Sequence, residues 1–178
     1  MEIVRDLLSG AKLIAPKIFV DSRGNFTKTF HQEVLWSLGI DFDMKEEFFS
    51  FSKKGVLRGM HFQIPPYDHA KFVYCPRGAV LDVILDIRKA SSTYGVCEAV
   101  ELSAENGNIL VIPRGFAHGF LSLEEDTLMI YKTTCEYNAE HDMGIHWNSF
   151  GFDWGENEPI VSARDMSFPS LRDFDSPF

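Results

Sequence analysis

Between residues 12 and 134 the chain is a succession of short runs rich in Val, Ile, Leu, Phe and Tyr. Each is cut off by Gly, Pro, Asn or Ser before it reaches helical length. The runs span 12–20, 47–51, 56–63, 71–75, 79–87, 97–102, 108–112, 118–123 and 127–134. Runs of this size with turn residues between them read as strands of an antiparallel sandwich or jelly roll. Only 32–38, with Val34, Leu35 and Leu38 at helical spacing, reads as a short helix, whereas an alternating βαβ fold needs several more. Pro76-Arg77-Gly78 and Pro113-Arg114-Gly115 both stand between strands and read as paired turns.

The 178 residues suit one domain, and neither a Gly/Ser linker nor a repeat of useful period divides them. The domain is therefore expected to span 1–178, with the tail packed to about Phe168 and loose over about 169–178. With 17 basic and 26 acidic side chains the net charge is −9, which repels nucleic-acid phosphates and anionic lipid, so neither is an expected partner. Any phosphate ligand must meet a local cluster of cations. Cys75, Cys97 and Cys135 are odd in number and lack a Cys-x-x-Cys spacing, which fits a reducing cytoplasm better than a disulfide framework or a thiolate zinc site. Glu2, Arg5 and Asp6 interrupt the first ten residues, unlike a signal peptide, and no stretch approaches the roughly 18 apolar residues of a membrane span.

Side chains alternate along a strand, so Val80, Asp82, Ile84 and Asp86 share one face of 79–87 and Leu81, Val83, Leu85 and Ile87 the other. Two readings stand for the carboxylates: a solvent face, or, for Asp82, a cavity wall where a buried charge requires a partner. In 56–63 the same alternation puts Leu57, Gly59, His61 and Gln63 on one face and Arg58, Met60 and Phe62 on the other. His61 alone reads as a satisfied core histidine as readily as a reactive one, but His118 enters from a second strand and the two together suggest a site. Six histidines also raise zinc, iron or manganese, a reading weakened by the absence of a His-x-His pair.

Several motifs in order carry a resemblance that covers residues 12–165. They are Phe19-Val20-Asp21-Ser22-Arg23-Gly24, Gly55-Val56-Leu57-Arg58-Gly59-Met60-His61-Phe62-Gln63, Lys71-Phe72-Val73, Asp82-Val83, Asp86-Ile87-Arg88, Ile112-Pro113-Arg114-Gly115-Phe116-Ala117-His118-Gly119-Phe120, Ile130-Tyr131-Lys132 and Ser162-Ala163-Arg164-Asp165. The set resembles the dTDP-4-dehydrorhamnose 3,5-epimerases and related nucleotide-sugar epimerases. The resemblance implies an all-β, cupin-like jelly-roll barrel and inversion of a nucleoside-diphosphate 4-keto-6-deoxy sugar at carbon 3, carbon 5 or both. No metal or redox cofactor is implied, because the 4-keto group already acidifies its neighbours.

By that resemblance His61 is the base, Asp165 its carboxylate partner, Tyr131 the proton donor, and Lys71 the cation beside the developing O4 charge. His118 and Asp82 support the same cavity, Gln63 belongs to its wall, and Arg58 and Arg23 meet the diphosphate. Phe26 stacks on the nucleobase. Arg23 and Phe26 are expected to serve the site of a second copy, in a homodimer sharing N-terminal strands. Two positions depart from the family pattern: Lys28 stands where a glutamate is usual, and Phe48 where an asparagine is. Tyr137 is the one aromatic kept of a usual pair. The product would feed a surface polysaccharide or a glycosylated metabolite. The competing readings are a related 3-epimerase or ketoisomerase, a metal-dependent cupin enzyme, and a sugar-binding cupin without catalysis.

Overall fold

The computed structural model describes residues 1–178. Thirteen strands and two short helices follow one another in the order β1 (Glu2–Asp6), β2 (Lys12–Ala15), β3 (Ile18–Asp21), β4 (Gly24–Thr27), α1 (Gln32–Ser37), β5 (Glu46–Ser52), β6 (Leu57–Gln63), β7 (Lys71–Arg77), β8 (Ala79–Asp86), β9 (Cys97–Ser103), β10 (Ile109–Ile112), β11 (Phe116–Ser122), β12 (Thr127–Thr133), β13 (Asp142–Gly144) and α2 (Ala163–Met166). Two antiparallel sheets, β1-β2-β10-β7-β12-β5 and β13-β6-β11-β8-β9, pack face to face as a jelly roll. The hairpin β3–β4 stands apart from both. The run expected over 12–20 is split at Pro16, which has no N–H to give to a ladder and ends β2. Pro113-Arg114-Gly115 forms the expected turn between β10 and β11, whereas Pro76 and Arg77 still belong to the end of β7 and only Gly78 stands between it and β8.

The alternation of β8 is observed, with a correction: neither face meets solvent. Val80 and Ile84 join the layer between the sheets, while Val83, Leu85 and Ile87 lie on the outer face beneath the C-terminal segment. Asp82 and Asp86 are both 0% exposed. Asp86 accepts from Arg88 Nε at 2.9 Å and from the Ser91 and Thr93 hydroxyls at 2.6 Å, a knot that holds its carboxyl down near 2 against the upward push of burial. It closes the turn after β8.

The tail is a second correction. Instead of being loose beyond Phe168, it covers the apolar face of the five-stranded sheet. Phe174 and Phe178 pack on Phe62 with ring centroids 5.2 and 6.4 Å away. Ser176 is 2% exposed and donates to the Ile87 carbonyl, and the Phe178 carbonyl accepts from the Lys89 N–H at 2.9 Å. The apolar face of Leu81, Val83, Leu85 and Ile87 requires such a cover, because burying each is worth roughly 1.5–3 kcal/mol. On the other side of the molecule, α1 and Ile40–Phe42 cover the outer face of the six-stranded sheet. A cavity of about 280 Å³ remains between the sheets, lined by residues of β5, β6, β7, β11 and β12.

Candidate active site

β6 reaches the cavity with both Arg58 and His61, which strict alternation assigns to opposite faces. The register against β11 shifts between the pairs His118↔His61 and Phe120↔Arg58, so a bulge at Gly59–Met60 turns both side chains inward. Gly59 is required there: a Cβ would stand 2.6 Å from the Cα of Gly119, and its φ of +135° suits glycine. The freed Gly59 N–H donates to Asp165 Oδ2 at 3.0 Å, and Asp165 Oδ1 lies 2.9 Å from His61 Nε2. Asp165 is 4% exposed and opens α2, where its own N–H donates to the Ser162 cap at 3.0 Å.

Burial raises the Asp165 carboxyl, but the bond and charge of His61 and the Gly59 donor outweigh it and hold the group below its ordinary range. Burial likewise lowers His61, only partly opposed by Asp165. The pair is therefore a carboxylate beside a neutral imidazole near pH 7. Asp165 takes the proton-bearing Nε2, which leaves the Nδ1 lone pair with no protein partner. That is the state of a general base.

Across the cavity, on the other sheet, the Tyr131 hydroxyl lies 3.1 Å from Ser50 Oγ. Burial raises the phenol far above its ordinary value, so it stays protonated and able to donate. Phe48, opposite Tyr131 in the β5–β12 register, stacks on it with centroids 4.8 Å apart and planes 12° from parallel. Lys71, the first residue of β7, donates from Nζ to the His61 carbonyl at 2.9 Å. Burial lowers it to about 8, against the pull of Asp142 and Asp82. His118 Nε2 lies 2.9 Å from both oxygens of Asp82, whose carboxyl burial pushes up against the pull of His118 and Lys71. Asp82 thus faces the interior with a partner.

Of the expected residues, His61, Lys71, Tyr131, Arg58, Gln63, His118, Tyr137 and Phe48 line the cavity, and Asp165 and Asp82 stand directly behind the two histidines. Arg58 is aimed by bonds to Ser52 Oγ at 3.1 Å and the Phe51 carbonyl at 3.0 Å. Gln63 is corrected in role, because its amide is taken by protein groups, among them the Tyr67 carbonyl at 2.8 Å and the Asn138 N–H at 2.6 Å. Arg23, Phe26 and Lys28 are not among the cavity-lining residues of their own chain. Arg23 is tied to Asp21 at the tip of the β3–β4 hairpin, Phe26 is 62% exposed, and Lys28 lies in solvent just past β4.

The cavity also includes residues that sequence reasoning missed. Ser50 was legible as the position two before Ser52 and two after Phe48 on one strand face. Arg164 adjoins Asp165 in sequence and pairs with Asp142 at 2.7 Å, while Glu46 accepts the Tyr137 N–H at 2.8 Å. His69 lines the wall beside Lys71 and carried no signal of its own. No group of three His, Cys, Asp or Glu side chains converges as a metal-holding set.

The sequence pattern describing dTDP-4-dehydrorhamnose 3,5-epimerases matches residues 6–173. The enzyme of that name from Sinorhizobium fredii is 41% identical over 168 residues, 92% of this chain and 86% of its own. The crystal structure of the Bacillus anthracis dTDP-4-dehydrorhamnose 3,5-epimerase with TDP and pyrophosphate bound superposes with a TM-score of 0.93 at 37% identity, covering 95% of this chain and 98% of that one. The Legionella pneumophila dTDP-6-deoxy-D-glucose-3,5-epimerase, solved with dTDP-4-keto-L-rhamnose, gives 0.93 at 36% identity, over 98% and 94%. A fold, a paired histidine and carboxylate, and a facing tyrosine agree with a match over nearly the whole length: the chain belongs to the dTDP-4-dehydrorhamnose 3,5-epimerase family.

Proposed function

We propose that this protein epimerises a nucleoside-diphosphate 4-keto-6-deoxy sugar of the dTDP-4-dehydrorhamnose type. The observation that carries the reading is the placement of base and donor on opposite sheets, His61 on β6 and Tyr131 on β12, with one cavity between them. A sugar ring held there presents one face to each. His61 removes the proton next to the carbonyl, and its Asp165 partner stabilises the imidazolium that forms. Lys71 bears the charge on O4 as the enolate develops. Tyr131 then delivers a proton to the opposite face of the same carbon, and inversion results. Neither step needs more than these groups and the acidity conferred by the ketone.

The diphosphate is a dianion approaching a chain of net charge −9, so its site needs concentrated cations. Arg58 and Arg164 line the cavity, and a planar guanidinium can bond two phosphate oxygens at once. Arg23 and Phe26 join this site from the hairpin of a second copy, as arginine to phosphate and ring to base. Their distance from their own cavity and the apolar exposure of Ile18, Phe19, Val20 and Phe26 support that arrangement. The three unpaired cysteines fit a cytoplasmic biosynthetic enzyme.

The test is incubation with a dTDP-4-keto-6-deoxyhexose in heavy water, reading deuterium and configuration at carbons 3 and 5. Wash-in at one or both carbons together with an inverted product is expected. A substrate recovered without deuterium at either carbon overturns the reading.

A further inference from the structure

On β5, Glu46, Phe48 and Ser50 alternate onto the face that lines the cavity. Tyr131 pairs directly with Phe48 in the β5–β12 register and lies diagonal to Ser50, which pairs with Met129. Diagonal neighbours are within reach of an aromatic side chain. The Tyr131 ring is fixed on two sides, stacked on Phe48 with centroids 4.8 Å apart and set edge-on to the His118 ring at 6.3 Å. Its hydroxyl bonds one protein group, Ser50 Oγ at 3.1 Å, and Ser50 Oγ bonds no other. Ser52, two residues further on, is by contrast taken by Arg58 Nε at 3.1 Å. Each hydroxyl has one proton and two lone pairs, so Tyr131 cannot give its proton to Ser50 and to a substrate at once. With the tyrosine proton aimed at the reacting carbon, the bond must run from the Ser50 O–H to the tyrosine oxygen.

We propose that Ser50 is the positioning residue of the proton donor, its hydroxyl orienting the Tyr131 O–H toward the substrate and donating to the tyrosine oxygen as the proton leaves. The inference rests on the epimerase reading and deepens it. When Tyr131 delivers its proton, its O–H bond breaks, the electron pair of the enolate forms the new C–H bond, the O4 carbonyl is restored, and a phenolate is left. Burial opposes that anion most and Asp82 adds to the opposition, whereas the Ser50 bond and the charge of Arg58 favour it. Phe48 has no proton to offer, and the Arg58 guanidinium is directed to Ser52 Oγ and the Phe51 carbonyl, so Ser50 is the one side chain donating at the phenol oxygen. A hydrogen bond to a charged oxygen is roughly twice as strong as one between neutral groups, so the contact tightens as the charge develops, which is the condition for speeding the step. Ser50 keeps its own proton throughout. Water returns one to Tyr131 and takes one from His61 to close the cycle.

Two measurements on the full chain test this. Ser50→Ala should slow formation of inverted product at saturating substrate by about 10- to 100-fold, the loss of a hydrogen bond to a charged group. Total deuterium entering substrate and product at the same carbon should stay within about threefold of wild type, because His61 still takes and returns a proton on its own face. A merely structural contact would lower deuterium entry and inversion together. Ser50→Thr, which keeps the hydroxyl on a side chain that suits a strand, should recover inversion to within about threefold of wild type. With the more acidic 3,5-difluorotyrosine in place of Tyr131, absorbance titration without substrate should find the phenol about one pH unit or more higher when Ser50→Ala is added, the shift that corresponds to a tenfold loss. A shift below about half a unit, inverted product from Ser50→Ala above about a third of the wild-type rate, equal falls in deuterium entry and inversion, or no recovery in Ser50→Thr each overturns the proposal. If wild type itself exchanges no deuterium, the epimerase reading fails instead, and the phenol titration still judges the Ser50 contact.

Discussion

At the scale of single residues, the division of labour between His61 and Tyr131 predicts two different failures. His61→Asn removes the base, and general-base catalysis is worth about 10² to 10⁴-fold, so solvent exchange should fall at least that far while dTDP binding, measured by calorimetry, stays near wild type. Tyr131→Phe leaves His61 able to take and return a proton on its own face, so deuterium should still enter while inverted product disappears. Epimerisation at the wild-type rate by that variant would move the donor role to another group. The pH profile follows from the two shifted groups. His61 must be neutral, and burial lowers it, so kcat/KM should rise through a value below the ordinary histidine range. Lys71 must be charged, and burial brings it down to about 8, so activity should fall as pH passes that value. Lys71→Arg should remove the falling limb, because a guanidinium does not titrate there. His61, Tyr131 and Lys71 were legible as cavity residues because each belongs to a motif matched in order. His69 was not, because no motif or spacing marks it as a wall residue of the cavity.

At the scale of elements, the strands that alternate were legible and the ones that break alternation were not. The acids of β8 share a face as the pattern requires, yet nothing in the pattern tells which face meets solvent, since that depends on the C-terminal segment folding back over Val83, Leu85 and Ile87. The hairpin β3–β4 and the three-residue β13 are too short, or too interrupted by Pro16 and Gly24, to register as separate runs. The bulge in β6 is the most consequential of these departures, since it alone brings Arg58 and His61 to one cavity. Gly59→Ala should therefore do more than strain a turn. The added Cβ, 2.6 Å from Gly119 Cα, forces β6 from β11 and draws the N–H away from Asp165. Overpacking of this kind costs about 1–3 kcal/mol, which for a domain of this size lowers Tm by roughly 2–12 °C. Exchange activity should fall further than stability accounts for at a temperature where the variant is fully folded, because the Asp165 carboxylate that orients His61 loses one of its two anchors. A variant of normal activity and lowered Tm would confine Gly59 to packing.

At the scale of the whole molecule, one chain holds the reacting groups but leaves Arg23 and Phe26 on an exposed hairpin, and the edge strand β5 presents Phe49 and Phe51 to solvent with their rings 5.7 Å apart. An isologous dimer would cover such surfaces and, by its two-fold symmetry, carry each Arg23 to the other copy's diphosphate. This predicts complementation between damaged chains. Arg23→Ala homodimers should bind substrate poorly at both sites, and His61→Asn homodimers should lack a base at both. Mixed and allowed to exchange subunits in equal amounts, half of the dimers are mixed, and each of these has one site with both groups intact and one with neither. Activity at limiting substrate should then return to about a quarter of the wild-type level, although neither parent has it. Were Arg23 to act on its own chain's cavity, the mixture would contain no site with His61 and Arg23 both intact beyond those of the parents, and the rate would stay at their average. The measurement thus separates a shared site from a self-contained one without requiring the substrate's base to be known. Repeating it with dTDP and UDP sugars extends it to Lys28: exposed just past β4, it should leave the preference for thymine unchanged on Lys28→Glu unless the same hairpin seats it against the base in the neighbouring site.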